Sequence, residues 1–318
     1  MDDWCATTSA ERGEPLAATA SRVERWLLVE HSGAWGPESV PSSRLPVGVA
    51  RALAATAARA GARLLMIRRH HGEVSEGYRQ VYAVDSRPGS ELVLGRRAQD
   101  DDLLALDLPF DPDSDTVRGW TAVDGPLLLV CTHGRHDRCC ATRGRPVAHA
   151  LYDRWPGLTW ECSHVGGDRF AANLLVLPEG LYLGRVQPDE VVGMVAGLQE
   201  GRLPAGRVRG RSSLPLPTQA AQEFARQSLD RWRTDDLVPL AQEHAGRDLW
   251  RVRLSGGPGG APVDVVVRYD RAGDGAAHVL TCGAAEQKTA AVFRLADLTV
   301  LSGPDLQPRA SPTASSAP

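Results

Sequence analysis

The chain is nearly without lysine and asparagine: Lys288 and Asn173 stand alone, and the remaining positive charge is arginine. That bias fits a GC-rich genome and says little about chemistry. No basic block is present, and 36 basic against 39 acidic residues leave a net charge of −3, which excludes bulk nucleic-acid binding. The longest apolar stretch, Leu127 to Cys131, is far too short to span a bilayer. The start, Met1-Asp2-Asp3-Trp4, has neither a basic nor an apolar leader segment, so a soluble, cytoplasmic protein is expected. A Gly-rich dinucleotide fingerprint, a P-loop, an H-E-x-x-H helix and a G-x-S-x-G elbow are all missing, so the usual signals of cofactor-driven or hydrolytic catalysis are absent.

What is there is enough for folded domains. With 318 residues, 42% hydrophobic and 24% charged, the chain can build two or three cores. Trp26 to Glu30 reads as a buried strand, Val47 to Ala62 as a helix, and Leu64 to Ile67, Val81 to Val84 and Leu92 to Leu94 as further strands. The same order returns about a hundred residues on: strand Leu127 to Val130, helix Arg145 to Trp155, and strands Leu158 to Glu161, Leu174 to Leu177 and Leu181 to Leu183. A helix from Pro188 to Gln199 follows. Strand, crossover helix and strand predict a parallel pair, to which a hairpin adds antiparallel strands. This is the element order of a thioredoxin-like α/β unit, here in tandem, and only the second copy carries cysteines in its loops.

The expected division is therefore residues 1–118, a thioredoxin-like unit without ligands; 119–205, a thioredoxin-like unit with a site; 206–302, a small α+β unit; and 303–318, a Pro/Ser/Ala-rich disordered tail. Within the third unit the pattern predicts a helix from Thr218 to Trp232, a shorter one near Leu237 to His244, and strands at Leu249 to Leu254, Val263 to Tyr269, Val279 to Cys282 and Val292 to Leu295. The acidic segment Asp100 to Asp115 reads as a solvated connector.

Four of six cysteines fall between residues 131 and 162, in Cys131-Thr-His133-Gly-Arg-His136-Asp137-Arg-Cys139-Cys140 and Cys162-Ser-His164-Val-Gly-Gly-Asp168-Arg-Phe170-Ala-Ala-Asn173. Each segment leaves a strand at its carboxyl end, where α/β sheets build their sites. Thiolates with imidazoles suit an iron–sulfur cluster, zinc, or metal-free thiol chemistry. Missing C-x2-C knuckles count against structural zinc and against a dithiol enzyme. His133 and His136 read as solvated residues or as hydrogen-bond donors around the site, Asp137 as a turn residue bonding backbone N–H groups, and Asn173 as a loop support. Arg135, Arg138, Arg143, Arg145 and Arg169 form a positive collar around the motifs, while Cys5 and Cys282 read as small buried apolar residues.

These two segments resemble the sucrase/ferredoxin-like family, strongly over Leu127 to Val186 and more weakly elsewhere. The resemblance implies a 2Fe-2S cluster in a thioredoxin-like ferredoxin fold, with two Cys and, in several members, two His as an H-x3-H pair. Carried over, Cys131 and Cys140 are the thiolate ligands and His164 is the first imidazole. Asp168 stands where the second His is expected, so the fourth ligand is Asp168, with Cys162 or Cys139 as substitutes. A charged fourth ligand makes the oxidised cluster more negative than a Cys2His2 one, placing its potential between Rieske-type and plant-type centres. A histidine on iron couples electron uptake to protonation. The function implied is one-electron transfer between a donor reductase and an acceptor, with no nucleic-acid or membrane partner, in a carrier rather than an enzyme in its own right. Two rivals remain: a thiol–disulfide enzyme using Cys139 and Cys140, and a zinc-stabilised binding module.

Overall fold

The computed structural model describes residues 4–70, 77–110 and 115–301. In chain order these form α1 (Cys5–Glu11), β1 (Arg25–Glu30), α2 (Val47–Arg59), β2 (Ala62–Arg68), β3 (Arg79–Asp85), β4 (Leu92–Ala98), α3 (Asp100–Leu104) and β5 (Thr121–Ala122). Next come β6 (Leu127–Cys131), α4 (Arg138–Arg154), β7 (Thr159–Cys162), β8 (Leu174–Leu177), β9 (Leu181–Leu183), α5 (Val191–Gln199), β10 (Val208–Arg211) and α6 (Leu216–Leu229). The chain ends with β11 (Pro239–Gly246), β12 (Leu249–Leu254), β13 (Val263–Asp270), β14 (Ala277–His278), β15 (Lys288–Thr289) and β16 (Val292–Val300).

Ten strands make one mixed sheet in the order β10-β9-β8-β6-β7-β2-β1-β3-β4-β5. β1 and β2 are parallel, as are β6 and β7, and each pair is joined by a crossover helix. β3 then lies antiparallel to β1, and β8 antiparallel to β6. This is the thioredoxin-like order, present twice. The halves join where β2 meets β7 antiparallel, with Ile67 opposite Cys162 and Arg68 opposite Glu161. Corresponding strands meeting antiparallel place a local two-fold relation at this seam. Matching bonds support it: His31 N–H donates to Ile67 O at 2.8 Å, and Thr132 N–H to Cys162 O at 3.2 Å.

Alternation along each strand divides the core. Leu27 and Val29 share a cluster with Leu53 of α2, and Leu128 and Val130 share one with Val147 and Leu151 of α4. Trp26, Leu28, Leu127 and Leu129 belong to a third core that runs through both halves and includes Cys5, Cys131, Cys139, Cys140 and Cys162. The seam carries a buried polar group: Glu161 accepts from Arg68 Nη2 at 2.6 Å and Thr132 Oγ1 at 2.8 Å, and lies 2.7 Å from His70 Nδ1. Burial alone would raise this carboxyl, but Arg68, Thr132 and His70 hold it below its usual value.

A separate antiparallel sheet, β11-β12-β13-β16, packs against α6. The helix expected near Leu237 to His244 is the strand β11, because its residues pair across a turn with β12 and only its start is shielded from solvent. The strand expected at Val279 to Cys282 is a loop, whose Thr281 and Cys282 spend their hydrogen bonds on Asp168 and Asp137 instead of a ladder. The acidic connector is partly helical, since Leu103 of α3 is buried beside Trp120 in the N-terminal core. The tail at 303–318 lies outside the described residues. Among the described residues no helix is long and apolar enough to cross a membrane.

Candidate metal centre

β6 and β7 end together, Cys131 opposite Cys162, and the chain turns from β6 into α4 through only Thr132 to Asp137. Asp137 caps α4, its Oδ1 accepting from Cys139 N–H at 2.7 Å. The helix therefore begins two turns before Arg145, because the N-cap rather than apolar periodicity sets its start. Cys139 and Cys140 fall in its first turn, where the helix dipole and free N–H groups favour thiolates. Close approach depends on Gly144: a Cβ there would stand 2.2 Å from the Cys131 carbonyl oxygen.

The ligand atoms of Cys131, Cys140 and His164 all lie within 4.8 Å of one another, and the two cysteines are buried. Asp168, also buried, accepts from Cys140 Sγ at 3.2 Å and sits 2.9 Å from His164 Nδ1. That imidazole nitrogen is buried and faces the carboxylate without a well-aligned hydrogen bond. Three of the four expected residues are thus together, and Asp168 stands beside two of them, forming a second close group with His136 and His164. Cys162 packs in the same core without joining the group, and Cys139 turns away from it.

The charges interlock. The neighbouring Cys140 thiol lowers the Cys131 pKa, His164 adds to this, and burial opposes them. Cys140 is pushed up by Cys131, by burial and by Asp168. Burial would lower His164, but Asp168 and Cys131 outweigh it and lift the imidazole to about 9. Burial likewise opposes ionised Asp168, yet His136 and His164 hold it far below the usual carboxylate range. Two thiols, an imidazole and a carboxylate brought this close are a metal donor set, from which a bound ion would displace the protons that Cys140 and His164 hold in its absence. Soft thiols beside harder nitrogen and oxygen donors are types that could hold an iron–sulfur cluster or a zinc ion.

Neighbouring groups hold this set in place. His133 accepts from His164 N–H at 3.2 Å through Nδ1 and donates from Nε2 to Gly36 O at 2.8 Å, so it is a buried brace and not a solvated residue. Asn173 donates to Gly167 O at 2.9 Å, as expected of a loop support. Sequence reasoning missed Arg209 of β10, fully buried, which donates to Asn173 Oδ1 at 2.8 Å and Gly166 O at 2.9 Å. Burial lowers its pKa to about 10, so it stays a cation behind Asp168 and Cys140. The arginine collar is partly spent elsewhere: Arg169 pairs with Glu14 at 2.6 Å, and Arg143 donates to Thr7 at 2.8 Å.

A profile of the sucrase/ferredoxin-like family matches residues 16–210. The chain belongs to the sucrase/ferredoxin-like family. No curated protein matches it. Among solved structures, it is similar to the thioredoxin-like [2Fe-2S] ferredoxin from Aquifex aeolicus, at 20% identity over 29% of this chain and 97% of that one, with a TM-score of 0.25. Two cysteine-to-serine variants of that ferredoxin match at 21% identity over 26% of this chain and 97% of theirs, with TM-scores of 0.23. For this family member, the matched region spans both halves of the large sheet and ends in β10, so the seam and Arg209 lie inside it and α6 and the C-terminal sheet lie beyond.

Proposed function

We propose that this protein is a one-electron carrier holding a 2Fe-2S cluster through Cys131, Cys140, His164 and Asp168. The observation that carries the reading is the convergence of buried Cys131, Cys140 and His164 at the carboxyl ends of a parallel strand pair. When bound, the cluster takes up and gives back single electrons. Cys131, fixed by β6, and Cys140, fixed by the first turn of α4, supply the thiolates. His164 and Asp168 supply the second pair from the loop after β7, and Arg209 opposes the negative charge behind them. His136 stacks on His164, ring centroids 3.7 Å apart and 29° between planes, with its side chain one-third exposed. This stack leads from the buried ligands to a groove of about 460 Å³ walled by Pro37, Val40, His136 and His164. A donor reductase and an acceptor would dock over that groove in turn.

Vicinal-thiol chemistry is disfavoured, because Cys139 and Cys140 belong to different groups of side chains. A single zinc ion on Cys131, Cys140 and His164 is the second reading, favoured by the compactness of that set. Anaerobically purified protein separates the two. Broad visible absorption bleached by dithionite, with about two iron and two sulfide per chain, is expected. A colourless protein that stays so after cluster reconstitution would overturn the carrier reading.

A further inference from the structure

A second donor set stands beside the first, outside the ligands assigned above. Cys5 of α1, Cys139 of α4 and Cys282 of the β14–β15 loop bring their sulfurs together at 3.7 Å (Cys5 to Cys139), 3.3 Å (Cys139 to Cys282) and 3.5 Å (Cys282 to Cys5). Asp137 Oδ2 lies 3.6 Å from Cys5 Sγ, and all four ligand atoms are within 4.8 Å of one another. Zinc with bonds of about 2.3 Å to sulfur needs thiolates roughly 3.8 Å apart on a tetrahedron, close to this spacing. A disulfide needs about 2.05 Å and would leave the third thiol over.

The Cys5 thiol lowers Cys139 to about 7, while Cys5 and Cys282 are held up and keep their protons until an ion displaces them. Cys5 N–H donates to Cys282 Sγ at 3.4 Å, and Arg138 bonds the Cys282 thiol. Asp137 is aimed by two backbone donors, Cys139 N–H and Cys282 N–H, at 2.7 and 2.6 Å. That is the outer hydrogen bonding that orients a ligating carboxylate. The three cysteines are separated by 134 to 277 positions in sequence, so only folding assembles them.

We propose that Cys5, Cys139, Cys282 and Asp137 form a second metal centre, a structural zinc site that ties α1 and the C-terminal unit to the helix carrying Cys140. Thiols still protonated release their protons to solvent as the ion binds, and no electron moves. The site does not rest on the cluster reading. Adjacent Cys139 and Cys140 then serve two centres, one residue each, and the zinc fixes the first turn of α4.

The test is zinc content and zinc K-edge absorption of the full chain expressed with zinc, alongside Cys282→Ser and Cys131→Ala. The expected result is about one zinc per chain with three sulfur neighbours near 2.3 Å and one oxygen. It should fall to background in Cys282→Ser and persist in Cys131→Ala, whether or not that variant binds iron. Absence of zinc overturns the proposal, and so does zinc with two or fewer sulfurs, or zinc kept by Cys282→Ser. If Cys282→Ser fails to fold, a zinc chelator on the wild type decides: metal removal should expose three further reactive thiols, and no gain in thiols overturns the site.

Discussion

The two halves of the large sheet share a strand order and differ in what stands at the ends of their parallel strands. Glu30 occupies in the first half the place of Cys131 in the second, and Ile67 the place of Cys162. In the first half the chain wanders from His31 to Pro46 before α2 begins, so no helix start crowds the strand ends. His31 is there, buried, but its Nδ1 faces Arg79 at 3.3 Å, and burial first and Arg79 second lower its pKa. Arg79 is in turn paired with Asp100 at 2.6 Å. In the second half the short turn, capped by Asp137, presses the first turn of α4 onto the strand end. The difference teaches that this topology supplies a place, while connection length and the residues at the strand ends decide whether donor groups for a metal gather there.

Several changes would break or sharpen this contrast. Cys131→Ala should abolish the visible absorption and bound iron outright, whereas His31→Gln, at the matching edge of the other half, should leave both unchanged; metal analysis and spectra check this. Glu161→Ala should cost about 3 kcal/mol at neutral pH, because a buried pair with Arg68 is broken and the contacts to Thr132 and His70 go with it. Since the folded carboxyl titrates below its unfolded value of about 4.5, its contribution is complete above that pH and is lost as pH falls through the folded value. Denaturant midpoints of wild type and Glu161→Ala should therefore converge in acid, and a constant gap down to the lowest pH would contradict the assignment.

Gly144→Ala should cost roughly 1–3 kcal/mol and loosen iron binding, as α4 must retreat from the Cys131 carbonyl. Melting curves and iron retention under chelator report both effects. The smallest expected change is read in redox potential: Arg209→Gln should lower it, through loss of a buried cation near Cys140 and Asp168. Electrochemical titration checks the sign, and an unchanged or raised potential would remove Arg209 from the site.

The repeated strand and helix order was legible in the sequence because both βαβ units are strongly patterned and offset by a near-constant interval. Cys131, Cys140, His164 and Asp168 were legible by their position after strands and by family resemblance. The start of α4 was not, since Arg138 to Gly144 show no apolar period and the Asp137 cap sets where the helix begins. β11 read as a helix because its pairing with β12, a tertiary fact, decides its state. Cys5, Cys282 and Arg209 could not be placed by spacing at all: each reaches its partners across more than thirty residues, through packing alone. The one available signal was that Cys5 and Cys282 are the two thiols left unassigned by the motif.

The most direct test of the central claim is pulsed electron paramagnetic resonance of the dithionite-reduced protein, with nitrogen couplings resolved. A reduced 2Fe-2S signal coupled to one strongly interacting imidazole nitrogen, lost in His164→Cys, is the predicted result. No signal, or a signal whose nitrogen coupling survives His164→Cys, would contradict the account.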